Sequence, residues 1–344
     1  MTLPIAQPDL AEPDPAGSPP ARATGGVKAL AGRALRWLRI PVSLLMLAYL
    51  LHLVEPAQAL AVLANADPRL VLLVALMAVG DRLLGAFRWY MLLRGKHVDV
   101  SFAPLARLTF VSNFIGSFLP AGVGIEAVRV YGLSRHTADL ALALSSVIVE
   151  RVLALGALVV LVVLGLLLSD AGFPAWIGRF AWASLAALAL GSLTLMIGPT
   201  RRLSLSLLPG RLLAPVRAKI QELYLRLDEY RHQPLMLAGA IAMALFFQLF
   251  RVATYAVAGA AIGIDATFQT YMVVVPIVSL VMMVPISLGG LGVGEAAFIS
   301  LLGLVGIPAE QSFTLSIMVL VLSLLGTLPG GWFYLQSGVA PGRR

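Results

Sequence analysis

Residues 284–295 read VPISLGGLGVGE, which is a proline, four glycines and a carboxylate between two strongly apolar segments. A shorter stretch with the same order, LPAGVGIE, occupies residues 119–126. Proline and glycine interrupt helices, and a glutamate is rare at membrane depth. Because the pattern occurs twice, we interpret it as a working part of the protein and not as an irregularity.

The composition around these stretches is that of a polytopic helical membrane protein. Of the 344 residues, 59% are hydrophobic and only 12% are charged, whereas a soluble domain has about 25% charged residues. The formal net charge of +8 is typical of cytoplasmic loops and headgroup contacts in a membrane protein. We therefore expect no nucleic acid as a partner.

The residue types that carry metal, redox or nucleotide chemistry form no recognisable motif. Cysteine is absent, and the four histidines are scattered without metal-ligand spacing. The glycines at 289–294 lack the following lysine of a phosphate-binding loop. We expect no cofactor, no metal site and no catalytic residue.

The hydropathy pattern predicts an all-α fold with six full spans and two re-entrant hairpins, or eight apolar segments. The spans are predicted at 40–54, 69–93, 140–168, 174–197, 235–262 and 310–335. The hairpins are predicted at 102–133 and 268–305. Their breaks contain Pro120, Gly122 and Gly124 in the first hairpin, and Pro285, Gly289, Gly290 and Gly292 in the second. Non-helical backbone at membrane depth must be buried in protein or line a cavity, so the hairpins should line a cavity.

Charge and composition predict the remaining organisation. Residues 1–26 read as a disordered cytoplasmic tail, 27–338 as one membrane domain and 339–344 as a C-terminal tail. Within the membrane domain, 55–68 is predicted to be a loop and 198–234 a basic cytoplasmic linker. All Lys/Arg-rich loops then fall on one side, as the positive-inside rule requires. We expect a multi-pass protein of a bacterial inner membrane with both termini in the cytoplasm.

Three landmarks recur at a similar offset along the chain. Pro120 and Pro285 are 165 positions apart, Arg88 and Arg251 are 163 apart, and the glutamates that end the two glycine stretches are 169 apart. The predicted repeats cover about 69–168 and 235–335. Because their first helices are three spans apart, the repeat is expected to be inverted, an arrangement found in alternating-access transporters.

Eight charged residues inside or beside the apolar segments are candidates for a substrate-binding cavity. A charge at membrane depth costs at least about 2.5 kcal/mol, and arginine binds phosphate bidentately. Two of these arginines could instead extend to the membrane surface, namely Arg88 and Arg129. Adjacent residues on a helix diverge by about 100°, so Asp81 and Arg82 are not expected to be each other's only partner, and Glu150 and Arg151 each need another partner. The candidates are Arg82, Arg88, Glu126, Arg129, Glu150, Arg151, Arg251 and Glu295.

Several short motifs follow one another along the chain. They are Arg88-Trp89, Asn113, Phe118-Leu119-Pro120, Gly124-x-Glu126-x-x-Arg129, Glu150-Arg151 and the stretch at 285–295. Together they resemble the transmembrane domain of the lysylphosphatidylglycerol synthase/flippase family over about residues 35–335. The family often has an arginine where this chain has Gly294. The resemblance implies movement of a lipid, or of a lipid-linked headgroup, between leaflets.

The leading hypothesis is therefore a flippase-like lipid translocase with a polar cavity between the two hairpins. The alternatives are an intramembrane enzyme acting on a lipid or polyprenyl headgroup, and a non-catalytic membrane subunit of a lipid or glycan pathway. The expected partner is a membrane lipid, either a phospholipid or an isoprenoid-linked lipid, and a lipid-modifying enzyme is a further candidate partner. The sequence ends at Arg344 without an aminoacyl-transfer domain, so aminoacylation of lipid is not expected.

Overall fold

The computed structural model describes residues 56–95, 98–117, 123–137, 140–196, 234–283 and 291–336. Within these ranges all regular secondary structure is helical, as predicted. The helices are α1 Pro56–Ala64, α2 Pro68–Gly95, α3 Phe102–Ser117, α4 Val123–Thr137, α5 Leu140–Leu168, α6 Ala175–Met196, α7 Pro234–Ala261, α8 Phe268–Met282, α9 Val293–Gly303, α10 Ala309–Leu325 and α11 Leu328–Gln336.

Four helical stretches are long and apolar enough to cross a membrane. They are 68–95, 142–168, 235–261 and 309–336, each of 27 or 28 residues, whereas a hydrocarbon core about 30 Å thick needs about 20. Shorter apolar helices accompany them. The prediction of a polytopic helical membrane protein is confirmed.

One local prediction was wrong. The predicted loop at 55–68 contains helix α1, which begins at Pro56; proline is tolerated at the first helical position, where no intrahelical N–H bond is required. The predicted sixth span corresponds to the apolar stretch 309–336, within which a turn at Gly326-Thr327 separates α10 from α11. The predicted first span, most of the basic linker, both tails and the hairpin breaks at 118–122 and 284–290 lie outside the described residues.

Helices α2 and α7 pack side by side in opposite directions. A Cβ on Gly80 would lie 3.3 Å from the Phe250 ring, and Gly95 lies against the Met236 side chain. The residue numbers thus rise along one helix as they fall along the other. Small residues at such contacts let two helix backbones approach closely, which drives association where lipid gives no hydrophobic advantage.

Helices α3 and α8 each pack closely against a helix from the other half of the chain. On α5, Gly165 faces α8, where a Cβ would meet Met272 and its backbone carbon at 3.0 Å. On α11, Gly330 faces the backbone of Phe110 on α3. These two glycines are 165 positions apart, which is also the separation of Pro120 and Pro285.

Buried and exposed apolar side chains separate an interior from an outer surface. The largest core joins α5, α7, α8, α9 and α10 around residues such as Tyr271 and Leu302. A second core surrounds Trp89 between α2, α3, α4 and α5. Large exposed side chains such as Leu72 and Trp176 cover the outside, where a membrane protein contacts lipid.

Candidate functional site

A cavity of about 290 Å³, which we call the first cavity, lies between α2, α3, α4, α5, α7 and α8. Seven of the eight predicted site residues line it, and only Glu295 does not. Polar side chains that were not predicted also line it, among them Asp81, Asn113 and Ser279.

The most buried charged group of this cavity is Glu150, which is 4% exposed. Its two carboxylate oxygens accept hydrogen bonds from Arg88 Nη2 and Arg129 Nη2, both at 2.5 Å. The Arg88 guanidinium also lies 4.4 Å from the centre of the Phe247 ring, and that of Arg129 lies 4.1 Å from the Trp89 ring. Both arginines are therefore largely buried between a carboxylate and an aromatic face. We call Arg88, Arg129 and Glu150 the Glu150 cluster.

The neighbouring residue of α5 faces a different partner. Arg151 Nε donates to the Glu126 carboxylate of α4. This pair is more open, since the two side chains are 44% and 28% exposed. The prediction that Glu150 and Arg151 need separate partners is confirmed, because the helix turns by about 100° between them.

A third set of charges connects α2 with α7 and α10. Asp81 lies 3.2 Å from Arg82 Nη1 and 3.4 Å from Arg251 Nε. Arg82 also donates to the backbone carbonyls of Ala78 and Ser323, each at 3.0 Å. The prediction that Asp81 and Arg82 are not each other's only partner is confirmed. We call Asp81, Arg82 and Arg251 the Asp81 cluster.

The Asp81 cluster also lines a second cavity of about 270 Å³. Besides the cluster, this cavity shares Ser279 with the first. Its other polar lining consists of Glu295 and hydroxyl groups, including those of Tyr255 and Ser316. The two cavities are thus neighbours that have the Asp81 cluster in common.

Glu295 lies in the first turn of α9 and caps the N-terminus of that helix. The residue is 4% exposed, and its carboxylate accepts the backbone N–H of Gly292 at 2.6 Å. Gly292 has a φ of 82°, which favours glycine. The expectation that Glu126 and Glu295 face one cavity was wrong, since each lines a different one. The negative charge lies at the positive end of the helix dipole, and Glu295 forms no ion pair with the described residues.

Asp81 is the main charged residue of the two cavities that is absent from the eight predicted candidates. It lies seven positions before Arg88 on α2, so the two side chains share one face of the helix. Searching the charged residues of this span for a common face would have found it. Of the predicted break residues, Gly124 lies within α4 and Gly292 precedes α9, while Pro120, Gly122, Pro285, Gly289 and Gly290 lie outside the described residues.

No group of three His, Cys, Asp or Glu side chains in the described ranges is placed to hold a metal ion. The charges of the first cavity are instead arranged as guanidinium–carboxylate contacts between helices. Such groups recognise anions through directed, charge-assisted hydrogen bonds.

Apolar helices around an interior lined by ion pairs define a polytopic membrane protein with a charged internal cavity. Residues 36–330 match the family described as the lysylphosphatidylglycerol synthase TM region, and the chain belongs to this family. A UPF0104 membrane protein from Pyrococcus horikoshii is 27% identical over 135 residues, which are 38% of this chain and 40% of that protein. The matched segment thus spans less than half of that relative. The family inferred from the motifs is confirmed.

Proposed function

We propose that this protein is a lipid translocase that moves a phospholipid or a lipid-linked headgroup between the leaflets. The observation that carries the proposal is the first cavity, which five arginines line between apolar helices. Charged groups at membrane depth are costly and typically mark substrate or ion pathways. Arginine suits a phosphate-bearing headgroup because its planar donors match phosphate oxygens.

The neighbouring cavities provide a route for such a headgroup. A headgroup bound beside the Glu150 cluster would next meet the Asp81 cluster, whose three residues line both cavities. In the second cavity it would meet hydroxyl groups, such as those of Thr254 and Ser316. The acyl or isoprenoid chains would remain against the apolar outer surface.

We propose that the two halves form an inverted repeat, an arrangement that would support an alternating-access mechanism for this route. Helix α2 is antiparallel to α7, and the contact of α5 with α8 has a counterpart in the contact of α11 with α3. If the two halves of the chain exchanged places, the α5–α8 contact would become the α11–α3 contact, and α2 and α7 would still pack against each other. We propose the full architecture of six spans and two re-entrant hairpins on this basis, with both termini in the cytoplasm of a bacterial inner membrane.

We further propose that the protein binds and moves its lipid without changing it. The two carboxylates of the first cavity that lie outside the Asp81 cluster both accept hydrogen bonds from guanidinium groups. Neither Glu126 nor Glu150 is thus free to act as a base. The Asp81 carboxylate likewise faces two arginines.

Reconstitution of the full chain into vesicles tests the proposal. The probes are fluorescent lipids with phosphatidate, phosphatidylglycerol and phosphatidylcholine headgroups, and dithionite bleaches only the outer leaflet. We expect protein-dependent bleaching of inner-leaflet lipid. Arg251→Gln should slow it by at least about tenfold, the equivalent of one charge-assisted hydrogen bond, because Arg251 lines both cavities.

The matched control is Arg179→Gln, since Arg179 is an exposed arginine of α6 that lines neither cavity. This variant should keep the wild-type rate. Equal rates with and without protein would refute translocation of these lipids. A new lipid species detected by mass spectrometry in the same vesicles would favour an enzyme instead.

A further inference from the structure

We propose that the first cavity selects a headgroup with two negative charges, namely a phosphate monoester or a diphosphate. This inference rests on the proposed function for its assumption that the phosphate belongs to a lipid. The charge class itself follows from the side chains that line the cavity.

The lining charges of the first cavity do not balance. Five arginines face three carboxylates among the described residues, which leaves two positive charges uncompensated. One excess charge belongs to the Glu150 cluster and the other to the Asp81 cluster, because each has two arginines and one carboxylate. The Arg151–Glu126 pair is neutral. The residues of the two predicted hairpin breaks, 118–122 and 284–290, include no charged residue.

Several guanidinium donors also lack acceptors. Arg88 Nε and Nη1, Arg129 Nε and Arg82 Nε are buried and have no hydrogen-bond partner in the part of the chain that the structure describes. A buried donor without an acceptor is costly, more so when it is charged. Arg88 itself is 8% exposed. A phosphate between the arginines would supply three acceptor oxygens and relieve this cost.

The charges that line the second cavity balance. Its lining contains two arginines, Arg82 and Arg251, and two carboxylates, Asp81 and Glu295. Excess positive charge is therefore specific to the first cavity. A lysylated lipid, whose headgroup carries amines, would add positive charge to a cavity that already has an excess, so the charge balance disfavours it.

Binding to the purified full chain in detergent tests this inference independently of transport. The probes are dioctanoyl phosphatidate, dioctanoyl phosphatidylglycerol, lysyl-phosphatidylglycerol and glycerol 3-phosphate, measured by calorimetry at pH 8. A phosphate monoester is almost fully doubly charged there, because its second pKa is about 6. We expect phosphatidate to bind about tenfold more tightly than phosphatidylglycerol, a difference typical of one additional favourable contact.

Two variants separate charge from shape. Arg151→Gln lowers the excess charge by one, and it should reduce the tenfold preference to about threefold or less. Adding Glu126→Gln restores the excess of two without restoring the ion pair, and the preference should return. The pair is suited to this test because it is the most exposed one in the cavity.

Each remaining outcome has a definite meaning. Equal binding of phosphatidate and phosphatidylglycerol, or tighter binding of lysyl-phosphatidylglycerol, overturns the inference, while vesicle assays can still show translocation. If glycerol 3-phosphate binds as tightly as phosphatidate, the preference for two negative charges is supported, but the lipid chains contribute nothing to binding. That result contradicts a lipid as the source of the phosphate, and with it the proposed function. A preference that survives in Arg151→Gln would show that the excess charge does not set selectivity.

Discussion

Replacing Glu150 with glutamine should destabilise the protein far more than the same replacement at Glu126. Both residues are glutamates whose carboxylates contact arginine on another helix. Glutamine keeps nearly the same size and shape, so each substitution mainly removes one negative charge. The two sites differ in burial, since the Glu150 side chain is 5% exposed and that of Glu126 is 28% exposed.

The expected magnitudes follow from this difference. Glu150→Gln leaves two buried guanidinium groups without a counter-ion, and removing one partner from a buried ion pair costs about 3–5 kcal/mol. The Glu126 pair is partly open, and exposed pairs contribute about 0–1 kcal/mol. Because domains are stable by only about 5–15 kcal/mol, Glu150→Gln should remove a large part of the total stability.

Unfolding of the purified protein by SDS titration in mixed micelles, followed by circular dichroism, measures both free energies. A double variant adds a second test. Removing Arg129 together with Glu150 takes away one of the stranded charges, so the double loss should be at least about 1 kcal/mol smaller than the sum of the single losses. If the unfolding free energies of Glu150→Gln and Glu126→Gln differ by less than about 1 kcal/mol, or if the stability losses at Glu150 and Arg129 are additive, the Glu150 cluster does not stabilise the protein in the way that its burial and ion pairs indicate.

Three further predictions concern packing, topology and the shared cluster. Gly165→Ala should cost about 1–3 kcal/mol of stability, because its Cβ would lie 3.0 Å from the α8 backbone. Gly156→Ala on the same helix should not destabilise the protein, because its Cβ would meet nothing within 4 Å. SDS unfolding compares the two variants. The chain has no native cysteine, so single cysteines can report on which side of the membrane a loop lies. Asp170→Cys should react with an impermeant maleimide on intact cells, and Asp99→Cys should react only after permeabilisation. The reverse pattern would contradict the proposed membrane orientation. Asp81→Asn should cost about 1–3 kcal/mol in the same unfolding assay, because the guanidinium groups of Arg82 and Arg251 lose their counter-charge, and an unchanged stability would contradict its bridging role.

Apolar runs predicted the helix bounds well, because backbone in lipid must satisfy its own hydrogen bonds and therefore stays helical through each run. The predicted span at 69–93 became α2 Pro68–Gly95, and the one at 140–168 became α5 Leu140–Leu168. Helix α1 was missed because a proline and nearby acids suggested a loop. The turn at Gly326-Thr327 was missed because the flanking residues are continuously apolar.

Helical geometry also predicted that adjacent charges face apart, and Glu150 and Arg151 do so. It could not predict which partner each one finds, since that depends on which helices meet in three dimensions. The sharing of Asp81 between two cavities has no signal within a single helix. Glu295 caps α9 and lines the second cavity instead of the first, and that position depends on how the neighbouring helices pack.

The proposed repeat relates the backbones of the two halves more closely than their charges. At the offset of 165, Glu150 corresponds to Leu315, a fully buried core residue, and Arg151 corresponds to Ser316 in the second cavity. Arg251 is the single arginine that the described part of the second half contributes to either cavity. Exchanging the halves would therefore not create an equivalent anion site. A headgroup that leaves the first cavity would meet a lining whose charges balance and would bind there less tightly, so the asymmetry favours its release.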